Sequence, residues 1–159
     1  IGTDSSFALL DRGGRYLKTL ELGFGGAAML AEGGAVWLLG SKGIAKIEGD
    51  KTTTYDFDKL QGGTIFVAVP VDKGVLAVIN PEGIAKFDHG AMVPWPNQPQ
   101  ALKEAGPNSM EHDPRGRIWI SSSVGLFGTD GEVWTSLDRH DGLPMNGAQL
   151  LSCGAAALR

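Results

Sequence analysis

A short segment that begins at a small residue, runs as a strand and ends in a turn recurs four times in this chain, and that recurrence constrains the fold more than any single residue. SFALLDRGGR from Ser6 aligns with GIAKIEGDK from Gly43, GIAKFDHGA from Gly83 and GLFGTDGEV from Gly125, at spacings of 37, 40 and 42 residues. Six residues before the last three anchors stand Trp37, Ala77 and Trp119, each preceded by an aliphatic residue: Val36, Leu76 and Ile118. Further upstream the turns Glu32-Gly33-Gly34, Asp72-Lys73-Gly74 and Pro114-Arg115-Gly116 also coincide. Three sites agree independently, so the unit is a structural repeat.

The clearest copy runs from Ser109 to Asn146 and predicts four short strands, at Ser109 to His112, Arg117 to Ser121, Gly125 to Gly128 and Val133 to Leu137. Each is rich in Ile, Val, Trp, Leu or Phe and is bounded by turn residues, which is strand punctuation and not a helical period. Asp113-Pro114-Arg115-Gly116 suits a type I turn, and Asp130-Gly131 is a strong hairpin signal. The unit is therefore a four-stranded antiparallel meander, and about 40 residues per such unit is the period of a β-propeller blade. The expected architecture is an all-β propeller with about four blades: 1–26, 27–63, 64–108 and 109–147. A partial blade over 148–159 would follow, with strands at Ala148 to Ser152 and Ala155 to Leu158 that could close on the first. Three arrangements stay open: one self-closed ring, two chains sharing a larger ring, or a piece of a longer array.

The last copy resembles the two-component regulator propeller repeat. Asp113, Gly116, Ile118, Trp119, Ile120, Ser122, Gly125, Leu126 and Trp134 carry the resemblance, followed by Gly142, Leu143, Pro144 and Asn146 of a G-L-P-x-N linker. The second and third copies lack that linker, and the third has Ala77 where the family has Trp. The resemblance implies an extracytoplasmic sensor propeller of bacterial signalling systems, periplasmic or extracellular, that binds a small molecule without transforming it.

Bulk properties narrow the alternatives. The 24 glycines among 159 residues fall at the turns of the repeat, so they supply hairpins and not a low-complexity tract. A net charge of −4, with no cationic run longer than two, does not suit a nucleic-acid partner, which needs several phosphate-neutralising cations on one face. Apolar stretches such as Thr64 to Pro70 are strand-sized, far short of the roughly 20 residues of a membrane-crossing helix. Cys153 stands alone and forms no internal disulfide.

In a blade, the turns between strands one and two and between three and four emerge at one end. The turn between two and three and the linkers between blades emerge at the other. On the linker end the sequence places Lys42, Glu82, Trp95, Asn97, Arg139 and His140, the candidate ligand-binding residues. Trp95, among Pro94, Pro96 and Asn97, could stack on a sugar or cap its blade, whereas Trp37, Trp119 and Trp134 occupy strand positions and pack between blades. The linker from Asp56 to Gly63 is the more charged one. His89, His112 and His140 are split between the two ends and match no zinc spacing, so neither a metal nor another cofactor is expected. Ser121-Ser122-Ser123 lacks a nucleophile elbow, and Asp113 and Asp130 suit turns. The favoured reading is a binding module for a small molecule such as a carbohydrate fragment. The alternatives are a scaffold that binds protein, or its own copy, through blade edges, and a lyase with His140 as base near Glu82, Asp138 and Asp141.

Overall fold

A computed structural model describes residues 6–10, 13–32, 34–72 and 75–143. The expected closing strands within 148–159, the Pro144 and Asn146 of the linker motif, and Cys153 lie outside the described residues. The chain forms two compact units, Ile1–Ile65 and Phe66–Arg159.

The first unit contains a two-stranded antiparallel sheet of β1 (Ser6–Leu10) and β2 (Tyr16–Glu21), and a four-stranded meander of β3 (Gly26–Glu32), β4 (Ala35–Gly40), β5 (Gly43–Glu48) and β6 (Lys51–Asp56). The second unit holds two such meanders. One is β7 (Val67–Asp72), β8 (Val75–Asn80), β9 (Gly83–Asp88) and β10 (Ala91–Pro94), and the other is β11 (Pro107–His112), β12 (Ile118–Ser122), β13 (Gly125–Thr129) and β14 (Trp134–Leu137). Strand neighbours follow chain order in every sheet, as expected of blades joined by hairpins. The departure from expectation is in the linker 95–108, where Gln100–Ala105 form a short helix, α1, and β11 begins at Pro107. No helix among the described residues is long and apolar enough to cross a membrane.

The middle strands bury consecutive residues instead of alternate ones: Trp37 to Gly40 in β4, Leu76 to Asn80 in β8 and Ile120 to Ser122 in β12. Consecutive burial means that both faces of the sheet are covered, the arrangement of a stacked blade. In the first unit Phe24, Leu38, Ala45 and Ile47 form the core, with Phe7 and Leu20 of the two-stranded sheet packed against them. In the second, Val69, Ile79, Ile118, Ile120 and Phe127 pack with Trp95 and Leu102, so the linker itself fills the space between the two meanders.

The recurrent anchor glycines have a common physical cause. A Cβ on Gly43 would lie 2.7 Å from the Tyr55 carbonyl oxygen, and one on Gly125 would lie 2.5 Å from that of Leu137. In both blades the third strand starts directly beneath the end of the fourth, and backbone atoms leave no room for a side chain. The intervening blade reaches the same result differently. Its fourth strand ends at Pro94, and the Gln98 side chain continues the edge: Oε1 accepts from the Ile84 N–H at 3.0 Å, and Nε2 donates to the carbonyls of Ile84 at 2.7 Å and Trp95 at 3.1 Å. A Cβ on Gly83 would meet that same Oε1 at 2.8 Å.

Gln98→Ala should leave the Ile84 peptide without these partners and cost roughly 1–3 kcal/mol. Phe87→Ala, at a fully buried site of the same meander, should cost roughly 3–5 kcal/mol, whereas Val133→Ala, 64% exposed, should stay within about 0.5 kcal/mol. Urea midpoints of the three variants give this order if the side-chain amide is part of the ladder; a Gln98→Ala midpoint equal to that of Val133→Ala would show that it is not.

Candidate functional site

At the linker end of the first unit three loops meet. Gly23 and Phe24 precede β3, Lys42 lies in the turn between β4 and β5, and a 3₁₀ turn, Phe57–Lys59, follows β6. Backbone bonds fix their meeting: Ser41 N–H donates to the Gly25 carbonyl at 3.0 Å, and Phe57 N–H donates to the Lys42 carbonyl at 2.9 Å. The Asp56 carboxylate caps the 3₁₀ turn by accepting the Asp58 N–H at 3.0 Å, and the buried Phe57 ring pins it. The result is a cleft of about 390 Å³ lined by Lys42, Thr54, Asp56, Asp58 and Lys59, with Leu22 and Phe24 as apolar wall. Lys59 Nζ lies 3.5 Å from Asp56 Oδ2. Two ammonium groups, two carboxylates and one hydroxyl thus share a small space, able to donate and accept hydrogen bonds around a polar guest.

Of the six residues anticipated on the linker end, only Lys42 lines this cleft; the other five belong to the second unit. Glu82 is exposed in the turn after β8, where its N–H donates to Asn80 Oδ1 at 2.9 Å. Asn97 is exposed at φ 53°, a left-handed conformation that Asn tolerates. Trp95 is the correction: it is 5% exposed and is not a platform on the linker surface. Its N–H extends the β9 ladder by donating to the Ile84 carbonyl at 2.9 Å, which turns the ring inward to the core, so the capping alternative is the one realised. Arg139 and His140 are exposed on a 3₁₀ turn, Arg139–Asp141.

That turn is closed by a reciprocal capping box. Asp138 Oδ1 accepts the His140 N–H at 2.6 Å, and Asp141 Oδ2 accepts the Asp138 N–H at 3.0 Å. The same Asp138 oxygen lies 3.1 Å from His140 Nδ1, while the imidazole side chain is 94% exposed. Thr54, Asp56, Asp58 and Lys59 were not anticipated individually. The signal for the last three was the concentration of charge in 56–63, which composition shows but does not assign to a cleft; Thr54 had none.

The turn carboxylates are tuned by their caps. For Asp113, slight desolvation is outweighed by hydrogen bonds from the Trp119 indole at 3.2 Å and the N–H groups of Arg117 and Arg115, and the carboxyl is held below its ordinary range. Asp130 is lowered by N–H donors of Val133 and Glu132, and Asp138 by the backbone of His140. Trp119 in turn lies against Gly128, where a Cβ would come within 2.9 Å of the ring. Among the described residues no group of three or more metal-ligating side chains converges.

No protein-family model matches this chain, and no curated protein does. Solved structures do. The extracellular domain assigned to a hybrid two-component system of B. thetaiotaomicron superposes with a TM-score of 0.57 at 15% identity, over 79% of this chain and 19% of that one. The extracellular domain assigned to a one-component system of the same organism gives 0.60 at 22% identity, over 85% and 20%. A streptogramin B lyase gives 0.61 at 16% identity, over 89% and 51%. The chain therefore has the propeller-type β fold that its repeat predicts. It spans about a fifth of those two extracellular domains and about half of the lyase.

Because the three aspartates have lowered folded-state values, their contribution is present above the ordinary carboxyl value of 3.8 and is lost as pH falls through the lowered ones. Melting temperature should drop on acidification below about pH 4. Asp113→Asn should melt lower at neutral pH and show a flatter acid limb. An acid limb identical to that of the native sequence would remove Asp113 from this account.

Proposed function

We propose that this chain is a stretch of an extracytoplasmic sensor propeller that binds a small hydroxyl-rich ligand, a carbohydrate fragment, without transforming it, and that the ligand enters the cleft beside Lys42. The observation that carries this reading is the composition of the cleft. Asp56 and Asp58 accept hydroxyl protons, Lys42 and Lys59 donate, Thr54 does both, and Phe24 with Leu22 offers a surface for the carbon-bearing side of a sugar ring. A volume of about 390 Å³ suits a mono- or disaccharide.

Support comes from two further sources. Two of the similar structures are extracellular domains assigned to signalling systems, and the last repeat resembles a sensor propeller repeat from Asp113 to Asn146. The competing reading is elimination chemistry at His140, favoured by the Asp138 contact at 3.1 Å and by the likeness to a lyase. Binding is the better reading, because Asp138 Oδ1 is already engaged by its cap and, among the described residues, the imidazole side chain is 94% exposed.

A thermal-shift screen of neutral and acidic oligosaccharides should find one that raises the melting temperature by a few degrees at about 100 times its Kd. Lys42→Ala and Asp58→Ala should each abolish the shift, and Arg139→Ala should leave it intact. A stabilising sugar indifferent to both cleft variants would place the site elsewhere, and turnover of any screened compound lost in His140→Ala would favour the lyase.

A further inference from the structure

A second concavity lies in the second unit at the opposite end of its strands, among the turns β9–β10, β11–β12 and β13–β14. It is a groove of about 450 Å³, and it is built unlike the linker-end cleft. Its walls are aliphatic, from Val71, Val75, Val93 and Ile118. Trp95 also lines it, and Lys86 places its ammonium 4.7 Å from the centre of the indole ring. The carboxylates of Asp88, which contacts the His89 imidazole, and Asp130 stand around the groove with the ammonium of Lys86.

Each feature favours the same guest. An aromatic face attracts a cation through its quadrupole, and the attraction grows when water is excluded. The chain demonstrates this itself, since its own ammonium already occupies the ring. Backbone N–H groups of Val133 and Glu132 hold the Asp130 carboxyl below its ordinary value. The indole N–H is buried and donates to no acceptor among the described residues, so exchanging the ammonium above the ring breaks no hydrogen bond of the indole. Lys86 is an exposed residue on a long flexible stem, and once displaced it returns to water. The aliphatic walls then meet whatever hydrocarbon the cation carries.

We propose that this groove is a second ligand site, selective for small organic ammonium ions with an apolar body, and that Lys86 fills its aromatic subsite until the ligand displaces it. Asp88 and Asp130 supply charge selectivity, and the valines and Ile118 supply affinity for the body. The site is independent of the linker-end cleft and of what binds there.

The test uses the whole chain, isotope-labelled so that each of its four tryptophans gives one indole N–H resonance. The probes are phenylethylamine, protonated at neutral pH, and phenylethanol, its uncharged analogue. The amine should shift the Trp95 resonance saturably, and the alcohol should bind at least about threefold more weakly. Lys86→Ala should tighten amine binding by about tenfold, because the ring no longer has an internal competitor. Asp88→Asn should weaken the amine and leave the alcohol unchanged. Equal response to amine and alcohol would reduce the groove to a greasy surface and overturn the proposal. So would the absence of a saturable shift in the native sequence, or a Lys86→Ala variant with unaltered affinity. The dispersion of the remaining resonances reports folding in every variant, and a sugar bound beside Lys42 would not produce these shifts.

Discussion

The structure depends on sheets that are covered on both faces. A sheet with one wet face alternates apolar and polar residues, but β4, β8 and β12 bury residue after residue, including the polar Asn80, Ser121 and Ser122. Such a sheet cannot stand by itself, because its second apolar face would meet water at about 25 cal/mol for each Å² left uncovered. Stacking of repeated units follows, and from it the need for hairpins short enough to keep every meander in step. The polar members of these strands stay inside because they are satisfied locally: Ser122 Oγ donates to the Gly125 carbonyl at 3.1 Å, and Ser109 and Ser121 share a hydroxyl contact at 3.0 Å.

This demand on the middle strands leaves the ends of the strands for everything else. The turns have little packing duty, so they carry carboxylates that cap their own backbone, and with the linkers they carry the lysines that line the linker-end cleft. The linkers are mixed. Asp56 to Lys59 caps a turn and lines a cleft with the same residues, while the linker after β10 sends Trp95 and Leu102 into the core and keeps Asn97 at the surface. Trp134 secures that linker from outside, donating from its indole to the Pro96 carbonyl at 3.1 Å.

The fold was almost wholly legible because strand ends are written in turn residues. The four strands of the last repeat begin and end within two residues of their expected positions, since Asp113, Gly116, Gly125 and Asp130 each have one geometric use. Helix α1 was hidden: six residues with a single buried side chain, Leu102, are too few to show a helical period. For Trp95 the sequence leaves two uses open, for a different reason. Its neighbours read as surface loop, and only the ladder bond to Ile84, a contact across 11 residues, decides where the ring goes. The candidate site was the least legible part. Lys42, Thr54 and Asp58 come together through backbone bonds between three loops, and a list of linker residues contains no such distances.

Gln98 shows how a repeat can depart from its own rule. Where its neighbours use a strand carbonyl to cover the start of the third strand, this blade uses one side-chain amide, so the path of the chain between Trp95 and Gln98 is released from strand geometry. A blade closed this way can accept a longer or differently shaped crossing without moving its inner strands. Duplication and divergence of such units could therefore vary the surface at one rim while keeping the stack beneath it, and the place to look for such variation in this chain is the segment between Trp95 and Gln98.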